Sequence, residues 1–240
     1  MSRQWRSCSL WQLACVKLRQ QQKLLQQQGA SGSNLTLLQQ KRNFTSALVS
    51  YMRHPSWRVR ALIPALLELD LTQHRFLVCG DATYQEALKA ALQGLADPEA
   101  SVRAAAKTCI TPLLLSASDE DCRYYSNVFK CLAGPAVRRG GGPSGGPPSW
   151  CRPLGGVSGL GALVATAPYS VPAWLPETLT SLALYANATQ PDSIRREVER
   201  ALQEFIKTHQ EGWETIHRGA FSEDQLDVLD TYKGRPAYFA

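Results

Sequence analysis

The residues best suited to a chemical task stand at the end of the chain, where Tyr238-Phe239-Ala240 join two aromatic rings to a terminal carboxylate. Taken alone, such a tail reads either as fraying at a chain end or as a peptide that another protein captures by its carboxyl end. Catalytic signals are weak by comparison. His54, His74, His209 and His217 form no H-E-x-x-H, and no cysteine lies at metal-ligand spacing from them. His209 and His217, on either side of Trp213, read as a surface and packing arrangement. Gly142 to Gly146 matches G-x-S-x-G and Gly140 to Gly145 matches G-x-G-x-x-G. Neither lies between a strand and a helix, the setting that exposes a nucleophile or cradles a phosphate. In a Gly/Pro/Ser-biased run both are chance matches. The expectation is a protein without catalytic, metal or cofactor residues.

The element that must position the tail is a short helix. Ser222 and Gln225 have the spacing of a reciprocal capping box, and Phe221 with Leu226 that of a hydrophobic staple. Leu226 and Leu229 give it an apolar stripe, and Gly234 and Pro236 end it.

Upstream, the chain repeats itself. His54-Pro55-Ser56-Trp57-Arg58-Val59-Arg60-Ala61 aligns with Asp97-Pro98-Glu99-Ala100-Ser101-Val102-Arg103-Ala104 at a period of 43 residues. Behind the prolines, Val59, Leu62, Ile63, Leu66 and Leu67 superpose on Val102, Ala105, Ala106, Cys109 and Ile110, the i, i+3, i+4, i+7, i+8 pattern of one helix face. Each proline is expected at the first helical position. A second amphipathic helix precedes each: Phe44, Ala47, Leu48 and Tyr51 mark one, and Tyr84, Ala87, Leu88, Ala91, Leu92 and Leu95 the other. Helix pairs at this period are the signature of HEAT-like repeats stacked into an α-solenoid. Arg60 and Arg103 are expected to form an inter-repeat ladder with acids such as Asp97 rather than a ligand site.

A third pair opens with Ser118 capping a helix that carries Cys122, Tyr125, Val128, Phe129 and Leu132. Its partner is interrupted by the Gly/Pro-rich stretch 134–156, whose composition argues against a helix; helical character returns from Val157. The fourth pair has Pro172 starting a helix with Leu175, Leu179, Leu182, Ala183 and Ala186, then a helix through Ile194, Val198, Ala201, Leu202, Phe205 and Ile206. The expected fold is all-α, a HEAT-like α-solenoid of about four helix pairs with a short capped C-terminal helix and a free tail. Its segments are 1–33 (disordered or non-homologous, basic and Gln-rich), 34–133 (repeats), 134–156 (insertion), 157–220 (repeats) and 221–240 (capped helix and tail).

Composition narrows the class further. Ten of the 26 basic side chains lie in residues 1–67, which contain no acid, and the remaining sixteen face all twenty acids. A uniformly basic nucleic-acid-binding surface is not indicated. No apolar run reaches the length of a membrane span. The seven cysteines show no C-x-x-C or disulfide-like spacing and read as reduced, buried thiols of a cytosolic or nuclear protein. Met1 to Leu25, basic and acid-free, has the composition of an organellar transit peptide, which leaves an imported protein as one alternative.

With the repeats in place, the last third resembles a known family. Ala167-Pro168-Tyr169-Ser170-Val171-Pro172-Ala173-Trp174-Leu175-Pro176, then Thr208-His209-Gln210 with Trp213, then Phe221 with Asp224-Gln225-Leu226 and Val228-Leu229, then Tyr238-Phe239-Ala240 follow the order of blocks at the carboxyl end of the large single-chain HEAT-repeat proteasome activators. Members are much longer, so the resemblance implies a terminal fragment. It further implies a non-catalytic activator that caps the 20S proteasome and helps open its gate without ATP or ubiquitin. Tyr238, Phe239 and Ala240 would enter a pocket between α-subunits. Related activators usually carry tyrosine in the penultimate place, so Phe239 lacks a hydroxyl that would contribute roughly 0.5–1.5 kcal/mol. Nuclear and cytoplasmic residence, DNA repair and turnover of acetylated histones come with the resemblance, as does an acetylated-histone partner. The alternative is a generic HEAT-repeat scaffold that binds another protein along its concave face.

Overall fold

The computed structural model describes residues 33–73, 82–115, 117–134 and 151–233. Among them the secondary structure is helical throughout, with no strand. The helices are α1 (Ser33–Tyr51), α2 (Trp57–Gln73), α3 (Ala82–Leu95), α4 (Ala100–Leu114), α5 (Asp119–Ala133), α6 (Cys151–Val164), α7 (Leu175–Ala183), α8 (Asp192–His209) and α9 (Glu223–Lys233). A 3-10 turn, Leu184–Ala186, extends α7, and a π turn, Trp213–His217, with a 3-10 turn, Arg218–Ala220, joins α8 to α9. The chain divides into two compact units at Phe44 and Thr45. In the first, the described residues 33–44 are helical, with Gln39 donating to Asn43 at 3.1 Å one turn on.

The second unit has the expected HEAT-like order, in which helix pairs stack and their second helices, α2, α4, α6 and α8, pack in succession. The faces legible in the sequence are largely the buried ones, with Val59, Leu62 and Leu66 on α2, Tyr84 and Leu92 on α3, Ala105 on α4 and Ile206 on α8 half-buried at their edges. Ile63 and Leu67 on α2, Ala87, Leu88, Ala91 and Leu95 on α3, and Val102, Ala106, Cys109 and Ile110 on α4 are all buried. So are Leu175, Leu179 and Leu182 on α7 and Ile194, Val198, Leu202 and Phe205 on α8. The Ser118 cap is a full capping box, reciprocated by Asp121.

The repeat is reproduced at the level of single hydrogen bonds. Arg60 Nη1 donates to the carbonyls of His54 and Pro55 at 2.8 and 3.0 Å. Arg103 Nη1 donates to those of Asp97 and Pro98 at 2.7 and 2.8 Å. His54 Nδ1 accepts from Ser56 N–H as Asp97 Oδ1 accepts from Glu99 N–H. Asp97 then receives a two-pronged bond from Arg60, so the inter-repeat ladder holds for Arg60, while the Arg103 bonds described above stay within its own repeat turn.

Local details differ from the sequence expectation in five places. Pro55 and Pro98 stand two residues before the first helical residues, Trp57 and Ala100; Glu99 is the extended N-cap, and the prolines form the turn whose carbonyls the arginines bind. Pro172 likewise precedes its helix, which begins at Leu175 with Pro176 in the first turn. Towards the end of α1 the buried residues are Thr45, Leu48 and, just past the helix, Met52, one step round from Phe44, Ala47 and Tyr51; Thr45 is drawn in by its 2.8 Å bond to the buried Asp70 carboxylate. Of the described cysteines, Cys109, Cys122 and Cys151 are buried thiols but Cys131 is exposed, while Cys8, Cys15 and Cys79 lie outside the described residues.

The fifth difference is the largest. Residues 151–156, expected to be part of a non-helical insertion, form the first turns of α6. This helix is buried on every side except at Arg152 and packs against α3, α4, α5, α7 and α8. Its glycines make that position possible. A Cβ on Gly155 would stand 2.7 Å from the Leu95 carbonyl oxygen, one on Gly156 2.2 Å from Ala133 N, and one on Gly159 2.2 Å from the Phe129 ring. Helical glycine costs roughly 1 kcal/mol relative to alanine, which the close approach of α6 to its neighbours offsets. The rest of the expected insertion, 135–150, and the expected N-terminal segment to residue 32 lie outside the described residues.

Candidate functional site

The three residues picked out from the sequence, Tyr238, Phe239 and Ala240, lie outside the described residues, as do the two glycine motifs. What the structure describes is the base from which they extend. Helix α9 begins with the expected box: Gln225 N–H donates to Ser222 Oγ at 3.3 Å, and Ser222 N–H donates to Gln225 Oε1 at 3.0 Å. Leu229 is buried and α9 packs on α7. One residue before the described end, Tyr232 O–H donates to the Ala183 carbonyl at 3.0 Å, fixing the last turn of α9 to the last turn of α7.

Beneath the start of α9 is an aromatic cluster. Phe221 is buried, 6.3 Å from Phe205 and 5.5 Å from Trp213 between ring centroids, while Phe205 and Trp213 meet edge to face at 6.2 Å. His209 stacks on Phe205 at 4.1 Å and meets His217 edge-on at 5.0 Å. Both histidines are buried. His209 Nε2 lies 3.1 Å from the Ser170 carbonyl, and Nδ1 3.0 Å from that of Phe205 and from Thr208 Oγ1. Both ring nitrogens lie within hydrogen-bond distance of protein oxygens, so His209 fastens Ser170, and with it the 167–176 segment, to α8. The packing reading of His209 and His217 holds, in the interior and not at the surface. The sequence reading missed the cluster as a unit. Its signal was the eight-residue spacing of Phe205, Trp213 and Phe221: on one straight helix these would stand about 12 Å apart along the axis, and they come into contact only because the chain turns between them.

The turn is tightly made. Gly212 has φ 74°, a left-handed conformation that costs glycine nothing. The Gly212 carbonyl accepts from Ile216 N–H at 2.7 Å and His217 N–H at 3.3 Å. Beside it lies a groove of about 650 Å³ lined by Ile206, His209, Gln210, Trp213, Glu214 and Thr215.

Two polar links tie α7, and with it α9, to the preceding repeat. Thr178 O–H donates to the Trp174 carbonyl at 2.9 Å, so the buried Ser126 hydroxyl, 2.9 Å away, donates to Thr178 Oγ1. Lys130 pairs with Glu177 at 2.7 Å, and that hydrogen bond holds the Glu177 carboxyl below the ordinary range. Deeper in the unit, Lys107 on α4 pairs with Glu197 on α8. Elsewhere burial pushes the Cys109 thiol up to about 12 and Cys122 to about 11. Among the described residues, no group of His, Cys, Asp and Glu is placed to hold a metal ion, and no helix is long and apolar enough to cross a membrane.

Comparison with known proteins bears on this region directly. Residues 151–240 match the family described as "Proteasome activator complex subunit 4-like, C-terminal". Over 206 residues the chain is 32% identical to a zebrafish (Danio rerio) proteasome activator complex subunit 4A, covering 81% of this chain and 11% of that protein. It is 30% identical over 187 residues to proteasome activator subunit 4 of Arabidopsis thaliana, covering 77% of this chain and 10% of the relative. An 85-residue stretch is 41% identical to human proteasome activator complex subunit 4, covering 35% of this chain and 4% of the human protein. The chain thus spans about a tenth of the length of the first two relatives.

Proposed function

We propose, from the match of residues 151–240 to the family of proteasome activator complex subunit 4-like C-terminal regions, that this chain binds the α-ring of the 20S proteasome by its C-terminal tail. The Ala240 carboxylate takes a charge-assisted bond from a lysine of the receiving pocket, Phe239 enters an apolar niche and Tyr238 packs at its mouth. Docking promotes gate opening and protein degradation without ATP or ubiquitin. The role is non-catalytic, and the family link extends it to DNA repair and acetylated-histone turnover in nucleus and cytoplasm.

The observation that carries this reading is the fastening of α9 at both ends, by the aromatic cluster and capping box at its start and by Tyr232 on Ala183 at its finish. A tail launched from a fixed helix loses less orientational freedom on docking than one launched from a loose end. Seven residues separate Lys233 from the terminus, a reach of at most about 25 Å. A three-residue contact is small, so the chain alone is expected to bind weakly, and tethering by a larger body to raise the effective concentration. Recovery of purified 20S particles on the immobilised chain, with and without residues 238–240, tests the proposal. Loss of recovery on truncation supports it. Equal recovery from both removes the tail from the mechanism and leaves the scaffold reading.

A further inference from the structure

Exposed apolar surface gathers beside the tail's anchor. Among the described residues, Tyr169 at 78% and Ile216 at 72% are the most exposed large hydrophobic side chains. Ile216 stands on the π turn whose Trp213, Glu214 and Thr215 line the 650 Å³ groove. Tyr169 adjoins Ser170, whose carbonyl is bound by His209, another residue of the groove wall. Scattered single hydrophobics need no explanation, but the Ile216 side chain lies against Gly212 of the groove wall and Tyr169 is next to the residue that His209 of the same wall holds. The platform is rigid, since Gly212 closes the turn and Trp213 and His217 root it in the aromatic cluster.

We propose that this groove, with Ile216 and Tyr169 at its rim, is a second contact with the α-ring that receives the tail, and that its occupant there is a basic segment with an apolar face. The inference rests on the tail-docking reading. Two physical arguments select this occupant. The first is reach: α9, eleven residues long, spans about 16 Å, so a body that holds the tail beyond Lys233 comes within range of the groove at the other end of the helix. The second is charge: residues 206–233 carry six acidic and three basic side chains. Complementary potential then favours a basic partner, and a second copy of the chain would set like charge against like. A second patch engaged alongside the tail multiplies affinity through effective concentration, which compensates for the small size of the tail contact.

Measured affinity for purified 20S particles tests this in the full chain. Ile216→Lys and Tyr169→Lys, both at exposed positions, are expected to leave the melting temperature unchanged and to weaken binding by about tenfold each. Leu115→Lys, also exposed but on the end of α4, is expected to have no effect. Wild-type affinity in both rim variants, with binding still lost on removal of residues 238–240, overturns the groove proposal while leaving tail docking intact. Unchanged affinity on tail removal overturns the premise and the proposal with it. A concentration-dependent dimer in sedimentation that Ile216→Lys abolishes, with no change in particle binding, assigns the groove to self-association and also overturns the proposal.

Discussion

Asp97 receives Arg60 Nε–H at 2.7 Å and Nη2–H at 3.0 Å, a two-pronged bond across 37 residues of sequence between side chains only 10% and 13% exposed. The same carboxylate accepts Glu99 N–H at the start of α4, so one residue both closes a repeat and joins it to its neighbour. The hydrogen bond with Asp97 raises the basicity of Arg60, outweighing its partial burial. Asp97→Ala leaves the guanidinium without its carboxylate and is expected to cost about 1.5–3 kcal/mol. Urea unfolding measures it, and a loss no larger than that of an exposed Asp119→Ala control would contradict the ladder.

Close approach to α6 makes a graded prediction. Gly156→Ala drives a methyl into the backbone of α5 and is expected to lose about 2–3 kcal/mol despite alanine's better helix propensity. At Gly161 the nearest atom is the Ala201 methyl at 3.2 Å, so alanine there is expected to be close to neutral. Thermal unfolding of the two variants should separate them clearly. Equal stability would mean that α6 is not seated against α5.

The α9 anchor is testable without the proteasome. Ser222→Ala removes the cap from Gln225 N–H and is expected to cost about 1 kcal/mol. Tyr232→Phe removes the bond to Ala183 at a similar cost. Amide hydrogen exchange reads both changes locally: faster exchange confined to α9, with α4 and α5 unaffected, is the expected pattern.

Thiol chemistry separates the cysteines. Burial raises the Cys109 and Cys122 thiols to about 12 and about 11, so at neutral pH neither supplies useful thiolate. Cys131 is exposed. Mild alkylation of the native chain, mapped by mass spectrometry, is expected to mark Cys131 and spare Cys109, Cys122 and Cys151 until urea is added. The protection of Cys109 and Cys122 by their protonated form fades only as pH rises toward those values, so alkylation at pH 7 and pH 8.5 should give the same order.

The sequence by itself determined the helical class, the 43-residue period, the buried faces of α2, α3, α4, α7 and α8, and the caps at Ser118 and Ser222. All are set by local spacing: apolar residues at helical intervals, and hydroxyl and carboxyl groups within reach of nearby amides. It also singled out the composition of the tail at residues 238–240. Tertiary structure alone decided that residues 151–156 are helical, because the cost of glycine in a helix is local while the gain from approaching Ala133, Leu95 and Phe129 belongs to distant segments. It decided the rotation of α1 through the Thr45–Asp70 bond, 25 residues apart. The gathering of Trp213, His217 and Phe221 onto the Phe205–His209 pair of α8 was likewise tertiary, since a left-handed glycine and a π turn bring those rings back to the helix.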